Sequence, residues 1–275
     1  MSSLLRVLPL ALCLALSAFS DDGKTDPPKK DDGKKTEAQD GDEVKKMISA
    51  GIQMLDEKSY SSTAKLDLEM GGSPMLNTEM KGSHKKPYTK MELDMMGQAM
   101  EIYTDGKTTV QKNPQSGAWE KTENNMTGGF DPKQLEKVIK SAVWDAKEAK
   151  VGSHVCRVAK AKVDKAKVAK LIAKSGMGGQ AKISKSSLRF YIDKEDGKIR
   201  RMKLSMTMSM DMGGQGAGGM ELDVTMDQKI TYSSKVQVKI PDEVKALLEG
   251  KTNDGDKEKD EEKDKDEEKE EGSEK

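Results

Sequence analysis

Met202-Lys203-Leu204-Ser205-Met206-Thr207-Met208-Ser209-Met210-Asp211-Met212 decides the fold class of this chain. Apolar and polar residues alternate without interruption. A helix repeats its apolar positions every three to four residues, whereas a strand sends successive side chains to opposite faces. The stretch therefore reads as a strand with one apolar and one polar face, the mark of an antiparallel sheet. Met220, Leu222, Val224 and Met226, set against Glu221, Asp223, Thr225 and Asp227, repeat the pattern. The glycine-rich residues 213–219 between the two runs are expected to close a hairpin. Further upstream, Ala64, Leu66, Leu68 and Met70 alternate with Lys65, Asp67 and Glu69, and Met91, Leu93 and Met95 with Glu92 and Asp94. Turn chemistry separates such runs at Gly71-Gly72-Ser73-Pro74, Asp105-Gly106, Asn113-Pro114-Gln115-Ser116-Gly117 and Asp196-Gly197.

Three segments carry helical spacing instead. Val44, Met47, Ile48, Gly51, Ile52 and Leu55 form one apolar stripe, with Asp42 placed to cap it. A second helix is expected from Asp131-Pro132 through Leu135, Val138, Ile139, Ala142 and Val143. A third follows Asp164, with Val168, Leu171 and Ile172 inward and Lys165, Lys167, Lys170 and Lys174 largely outward. The sum is an α+β domain in which about three amphipathic helices cover the apolar face of a wide antiparallel sheet of roughly eight to eleven strands.

Charge divides the 275 residues, although 48 Lys and Arg balance 48 Asp and Glu. That neutral sum excludes a strongly cationic nucleic-acid binder. Residues 251–275 carry a net charge of −6 and residues 21–46 carry −2, so with Arg6 counted the body from 47 to 250 carries +7. Neither flank has enough apolar surface to offset its ordering entropy, so 21–42 is expected to be a disordered linker and 251–275 a disordered tail. Arg6, the apolar run from Val7 to Phe19, and Ala18-Phe19-Ser20 before Asp21-Asp22 predict an export signal over 1–20. The run is too short for a membrane span and contains Pro9. Leu10-Ala11-Leu12 ahead of Cys13 is too bulky for a lipidation motif. Without residues 1–20, Cys156 is the one cysteine left, which leaves no intramolecular disulfide and suits a buried thiol.

No catalytic set, metal site or cofactor motif emerges. His84 and His154 stand in neither a zinc-helix motif nor beside a nucleophile elbow. Gly176-Met177-Gly178-Gly179 follows a helix and lacks the Lys-Ser/Thr ending of a phosphate loop, so it reads as a linker. His154 and Cys156 share one side of a strand, which together with the thioethers leaves a Cu(I) site as an alternative. The lysines of the third helix give a solvated face or one drawn to anionic headgroups. The nineteen methionines are the unusual feature, occupying strand positions where Val, Ile or Phe would be usual. A flexible, polarisable methionine face serves equally as a dry core or as a wall for ligands of variable shape.

Element order adds a resemblance. Glu101-Ile102-Tyr103-Thr104-Asp105-Gly106-Lys107, continuing through Asn113-Pro114 to Gly117-Ala118-Trp119-Glu120-Lys121, resembles a hairpin pair of the LolA-like and LppX/LprG-like periplasmic carriers. So do Phe190-Tyr191-Ile192-Asp193, leading by Asp196-Gly197 to Ile199-Arg200-Arg201-Met202, and the closing Ile240-Pro241. The resemblance implies a LolA-like half-barrel domain over 43–250, lidded by helices, in a bacterial periplasm or envelope. It implies a non-enzymatic carrier whose partner is a lipid or lipoprotein acyl chain, with a membrane surface as a further partner. The cavity wall it implies is the alternating apolar set Leu66, Leu68, Met91, Leu93, Met95, Leu204, Met206, Met208, Met210, Met220, Leu222 and Met226. The competing expectation is an envelope scaffold using the same fold with a filled core.

Overall fold

The computed structural model describes residues 34–95, 97–113, 116–121, 132–174, 182–210 and 220–250. Helix α1 (Lys34–Glu57) leads into six strands: β1 (Tyr60–Met70), β2 (Ser73–Lys85), β3 (Tyr88–Met95), β4 (Gln98–Thr104), β5 (Thr109–Lys112) and β6 (Trp119–Lys121). Helix α2 (Pro132–Val138) precedes β7 (Ile139–Trp144), β8 (Ala149–Val151) and β9 (His154–Val163). Helix α3 (Lys165–Lys174), β10 (Lys182–Asp193), β11 (Ile199–Met210), β12 (Met220–Tyr232) and α4 (Asp242–Leu248) complete the order. All twelve strands join one open antiparallel sheet, β6-β5-β4-β3-β2-β1-β12-β11-β10-β9-β7, with β8 beside β9. Twelve exceeds the eight to eleven expected, because β5, β6 and β8 are only three or four residues long and too brief to show a period.

Register explains how one face becomes the core. Pairing of β11 with β12 sets Leu204 opposite Met226, Met206 opposite Val224, Met208 opposite Leu222 and Met210 opposite Met220. Strand β1 continues the rows, with Leu66 opposite Met226 and Leu68 opposite Val224. A slip of one residue would turn every one of these side chains toward the polar face. The hairpin expected between the two methionine strands therefore forms, although its tip, 211–219, lies outside the described residues. Between β1 and β2 the chain reverses through Gly71 and Gly72, whose φ angles of 57° and 79° suit a tight two-residue turn.

Helix α1 lays Val44, Ile48, Ile52 and Leu55 into the core, as its spacing predicts. It begins at Lys34, so Asp42 is an interior residue and not the cap. At Gly51 the helix comes so close to the sheet that an added Cβ would stand 2.7 Å from Ile199 Cγ1. Its earlier turns reach the other edge, where Lys45 Nζ donates to the Lys140 carbonyl at 3.4 Å. The helix thus crosses from β7 to the turn between β10 and β11.

The second predicted helix ends early. Residues Pro132–Val138 are helical, but Ile139–Trp144 pairs with β9 as β7, burying Ala142 and leaving Val143 55% exposed. Leu135, Val138, Ile139 and Ala142 fit a helical period, yet Val138-Ile139 and Val143-Trp144 are β-branched and aromatic, and pairing with a neighbouring strand outweighs local spacing. Asp131 lies outside the described residues. The third helix begins as expected: Asp164 Oδ1 accepts from the Ala166 and Lys167 amides at 3.1 and 3.2 Å, and Val168 is buried. The side chains of Leu171 and Ile172 lie outside the described residues. Helix α4 packs on the opposite face of the sheet, where Val244 and Leu248 meet Tyr103 and Val110.

Candidate functional site

Leu66, Leu68, Leu93, Leu204, Met206, Met208, Leu222 and Met226 fall into a single buried cluster on the inner face of the sheet. Met91 is half-buried and packs against it. The side chains of Met95, Met210 and Met220 lie outside the described residues. Cross-strand rows connect the set: Leu204, Met226 and Leu66 form one row, and Met206, Val224, Leu68 and Leu76 the next. Leu93 extends the face outward through its neighbours Met80 and Met100.

The inner-face helices gather along one part of this sheet. Helix α1 packs on β7, β10 and β11, and α3 on β10. Gly51 fixes α1 at the Ile199 end of β11. Met208 lies nine residues further along that strand, about 30 Å away at the rise of an extended chain. Leucines and methionines of β12, β1, β2 and β3 thus extend beyond α1, at the far end of the same face.

Polar atoms interrupt this apolar face at three points that the sequence did not announce. Gln228 stands in an apolar row between Met202 and Ala64. Its Oε1 is buried without a hydrogen-bond partner among the described residues, as are Gln111 Oε1 and the Tyr232 hydroxyl. Gln111 pairs with Ile102 and so faces the same side. An orphaned buried acceptor costs about 1–3 kcal/mol, so three of them are compatible with a ligand that brings its own donors. The available sequence signal was Gln228 itself, which occupies an apolar phase of the β12 alternation.

A polar and aromatic cluster closes the near end. Tyr60 stacks on His84 with ring centres 5.1 Å apart and meets Tyr232 at 6.0 Å. Arg200 lies 5.5 Å over the Tyr232 ring. It donates to Asp193 Oδ2 from Nε at 3.0 Å and from Nη2 at 2.8 Å, and to Asp196 at 2.7 Å. Burial pushes the Asp193 carboxyl up, but the Glu195 amide, Arg200 and His154 outweigh it and hold the group below the usual carboxylate range. Burial lowers His84, partly offset by its bond to the Asp56 carbonyl. It raises both Tyr60 and Tyr232. Arg200, Asp193 and Asp196 tie the turn between β10 and β11, and Asp193 is committed to Arg200 and, at 2.7 Å, to His154 Nδ1.

That engagement bears on the copper alternative. Cys156 is fully buried against Val158 and Tyr191, and its thiol is pushed up to about 11, chiefly by burial and then by Asp193. Among the described residues no three His, Cys, Asp or Glu side chains converge as a metal set.

No family model and no curated protein matches the sequence. Among solved structures the chain is similar to LprF from Mycobacterium bovis, at 10% identity and a TM-score of 0.41, covering 74% of this chain and 98% of that one. It is similar to the LolA superfamily protein NE2245 from Nitrosomonas europaea, at 7% identity and a TM-score of 0.31, covering 73% of this chain and 96% of the other. A DUF1329 family protein from Desulfovibrio piger matches at 9% identity and a TM-score of 0.32, covering 76% of this chain and 97% of that one.

Proposed function

We propose that this chain is an exported, non-enzymatic carrier that holds a lipid or lipoprotein acyl chain against the Leu/Met face of its sheet and exchanges it at a bacterial envelope membrane. The observation that carries the reading is the extent of that face, which runs along β11, β12, β1, β2 and β3 past the end covered by α1. Unbranched methionines let such a wall adapt to chains of different length and bend. Each methylene taken from water is worth about 0.8 kcal/mol, so a fourteen-carbon chain gains on the order of 10 kcal/mol before the cost of immobilisation. The Gln228 oxygen and the Tyr232 hydroxyl, both on β12, offer partners for a polar head. Among the described residues no helix is long and apolar enough to cross a membrane.

Near-zero exposure of Leu66, Met206 and Met208 favours a second reading, an envelope scaffold whose core is filled. Two measurements separate them. Protein purified without detergent is expected to yield extractable lipid by mass spectrometry and to bind a fluorescent fatty acid. Met208→Glu is then expected to abolish that binding with modest loss of stability, whereas in a filled core it unfolds the domain. Absence of both extractable lipid and fatty-acid binding in the unaltered chain removes the carrier reading.

A further inference from the structure

The charge of this chain is concentrated on one part of the sheet. Residues 132–189 contain fifteen Lys and Arg against four Asp and Glu, a net +11 that leaves the remainder of 47–250 at −4. These residues form β7, β8, β9, most of β10, and helices α2 and α3, at one end of the strand order. Pairing register sharpens the point. Val143, Lys160, Arg189 and Lys203 lie in one row across β7, β9, β10 and β11, on the face opposite the core. Neighbouring strands are about 4.8 Å apart, so three cations stand directly side by side, an arrangement that is destabilising by itself. Asp145 pairs with Lys160 at 3.0 Å and Asp227 with Lys203 at 3.3 Å, so each end of the cationic row has an acid. Arg189, in the middle, has a cation on either side and is exposed; it makes no ion pair among the described residues, and the one acid whose charge it feels, Asp145, is already bonded to Lys160. At the end of the row Val143 is 55% exposed, an apolar side chain amid lysines.

We propose that this row is a docking surface for an anionic bilayer, with lipid phosphates lying between Lys160, Arg189 and Lys203 and Val143 entering the headgroup layer. An anion relieves the repulsion that the register builds in, and an exposed valine among cations suits a surface that is polar outside and apolar beneath. The acidic residues 251–275 are the other source of negative charge, but they follow α4, which packs on β5 and β6 at the opposite end of the strand order. This surface lies on the reverse of the Leu/Met face, and its test is independent of whether that face carries lipid.

The experiment is flotation of the full chain with vesicles of phosphatidylcholine alone or of an equimolar mixture with phosphatidylglycerol. Binding is expected to the mixed vesicles alone, weakening as salt is added. The triple variant Lys160→Gln, Arg189→Gln, Lys203→Gln is expected to bind about a hundredfold more weakly, with roughly a fifth of the affinity retained per lost charge. A control on the same sheet face, Lys65→Gln with Lys81→Gln, is expected to bind like the unaltered chain. Equal binding to both vesicle types, no binding at low salt, or loss in the control with retention in the triple variant overturns the proposal. Binding that emerges only after removal of 251–275 also overturns it, and assigns the row to the chain's own acidic tail.

Discussion

Gly51 shows how one residue sets the distance between layers. In an exposed helix interior, alanine is better than glycine by about 1 kcal/mol. Here the added methyl meets Ile199, whose side chain is fully buried, with Cγ1 at 2.7 Å and Cδ1 at 2.9 Å. Overpacking costs about 1–3 kcal/mol, so it wins. Gly51→Ala is therefore expected to lower the urea midpoint with an unchanged slope. His84 gives a pH dependence with a definite sign. Burial lowers its folded pKa below the ordinary 6.5, so between the two values the unfolded chain binds more protons than the folded one. The contribution is fully present above 6.5 and is lost as pH falls through 6.5 toward the folded value. Urea midpoints at about pH 8 and about pH 5 are expected to differ less in His84→Gln than in the unaltered chain. An unchanged difference would place the acid sensitivity elsewhere.

Among the elements, α3 and β7 contrast a locally encoded start with a boundary set from a distance. The start of α3 after Asp164 was legible because a capped start needs only the next three residues, and the Asp164 carboxylate accepts two amides there. Asp164→Ala is expected to cost about 1 kcal/mol, read in thermal unfolding. The end of α2 was not legible in the same way. Leu135, Val138, Ile139 and Ala142 satisfy a helical period, while Ile139, Ala142 and Trp144 are also inner-face positions of a strand interrupted by a register shift. Only β9, fifteen or more residues later in sequence, decides between the two. The same limit explains β5, β6 and β8, which are too short to carry a period of their own.

For the molecule as a whole, the question is what occupies the inner face. A carrier gains stability from its cargo by mass action, about 2.7 kcal/mol when free ligand is a hundred times its dissociation constant. Added fatty acid is therefore expected to raise the melting temperature of delipidated protein. A scaffold with a filled core shows no such rise, and that result would favour the second reading. The apolar face itself was largely legible: eight of the residues named for it meet in one buried cluster, because alternation and antiparallel pairing together force them onto one face. Gln228, Gln111 and Tyr232 were not legible as orphans, since whether a buried oxygen finds a donor depends on neighbours from other strands.

Sequence by itself determined that this chain builds one-sided strands and amphipathic helices, since a period of two or of 3.6 is a property of neighbouring residues. Tertiary structure decided that β1 lies beside β12, that Ile139–Trp144 is a strand, and that Lys160, Arg189 and Lys203 stand in one row. Those are matters of register between segments far apart in the chain, where hydrogen-bond pairing and burial, summed over whole strands, outweigh the preference of any single residue.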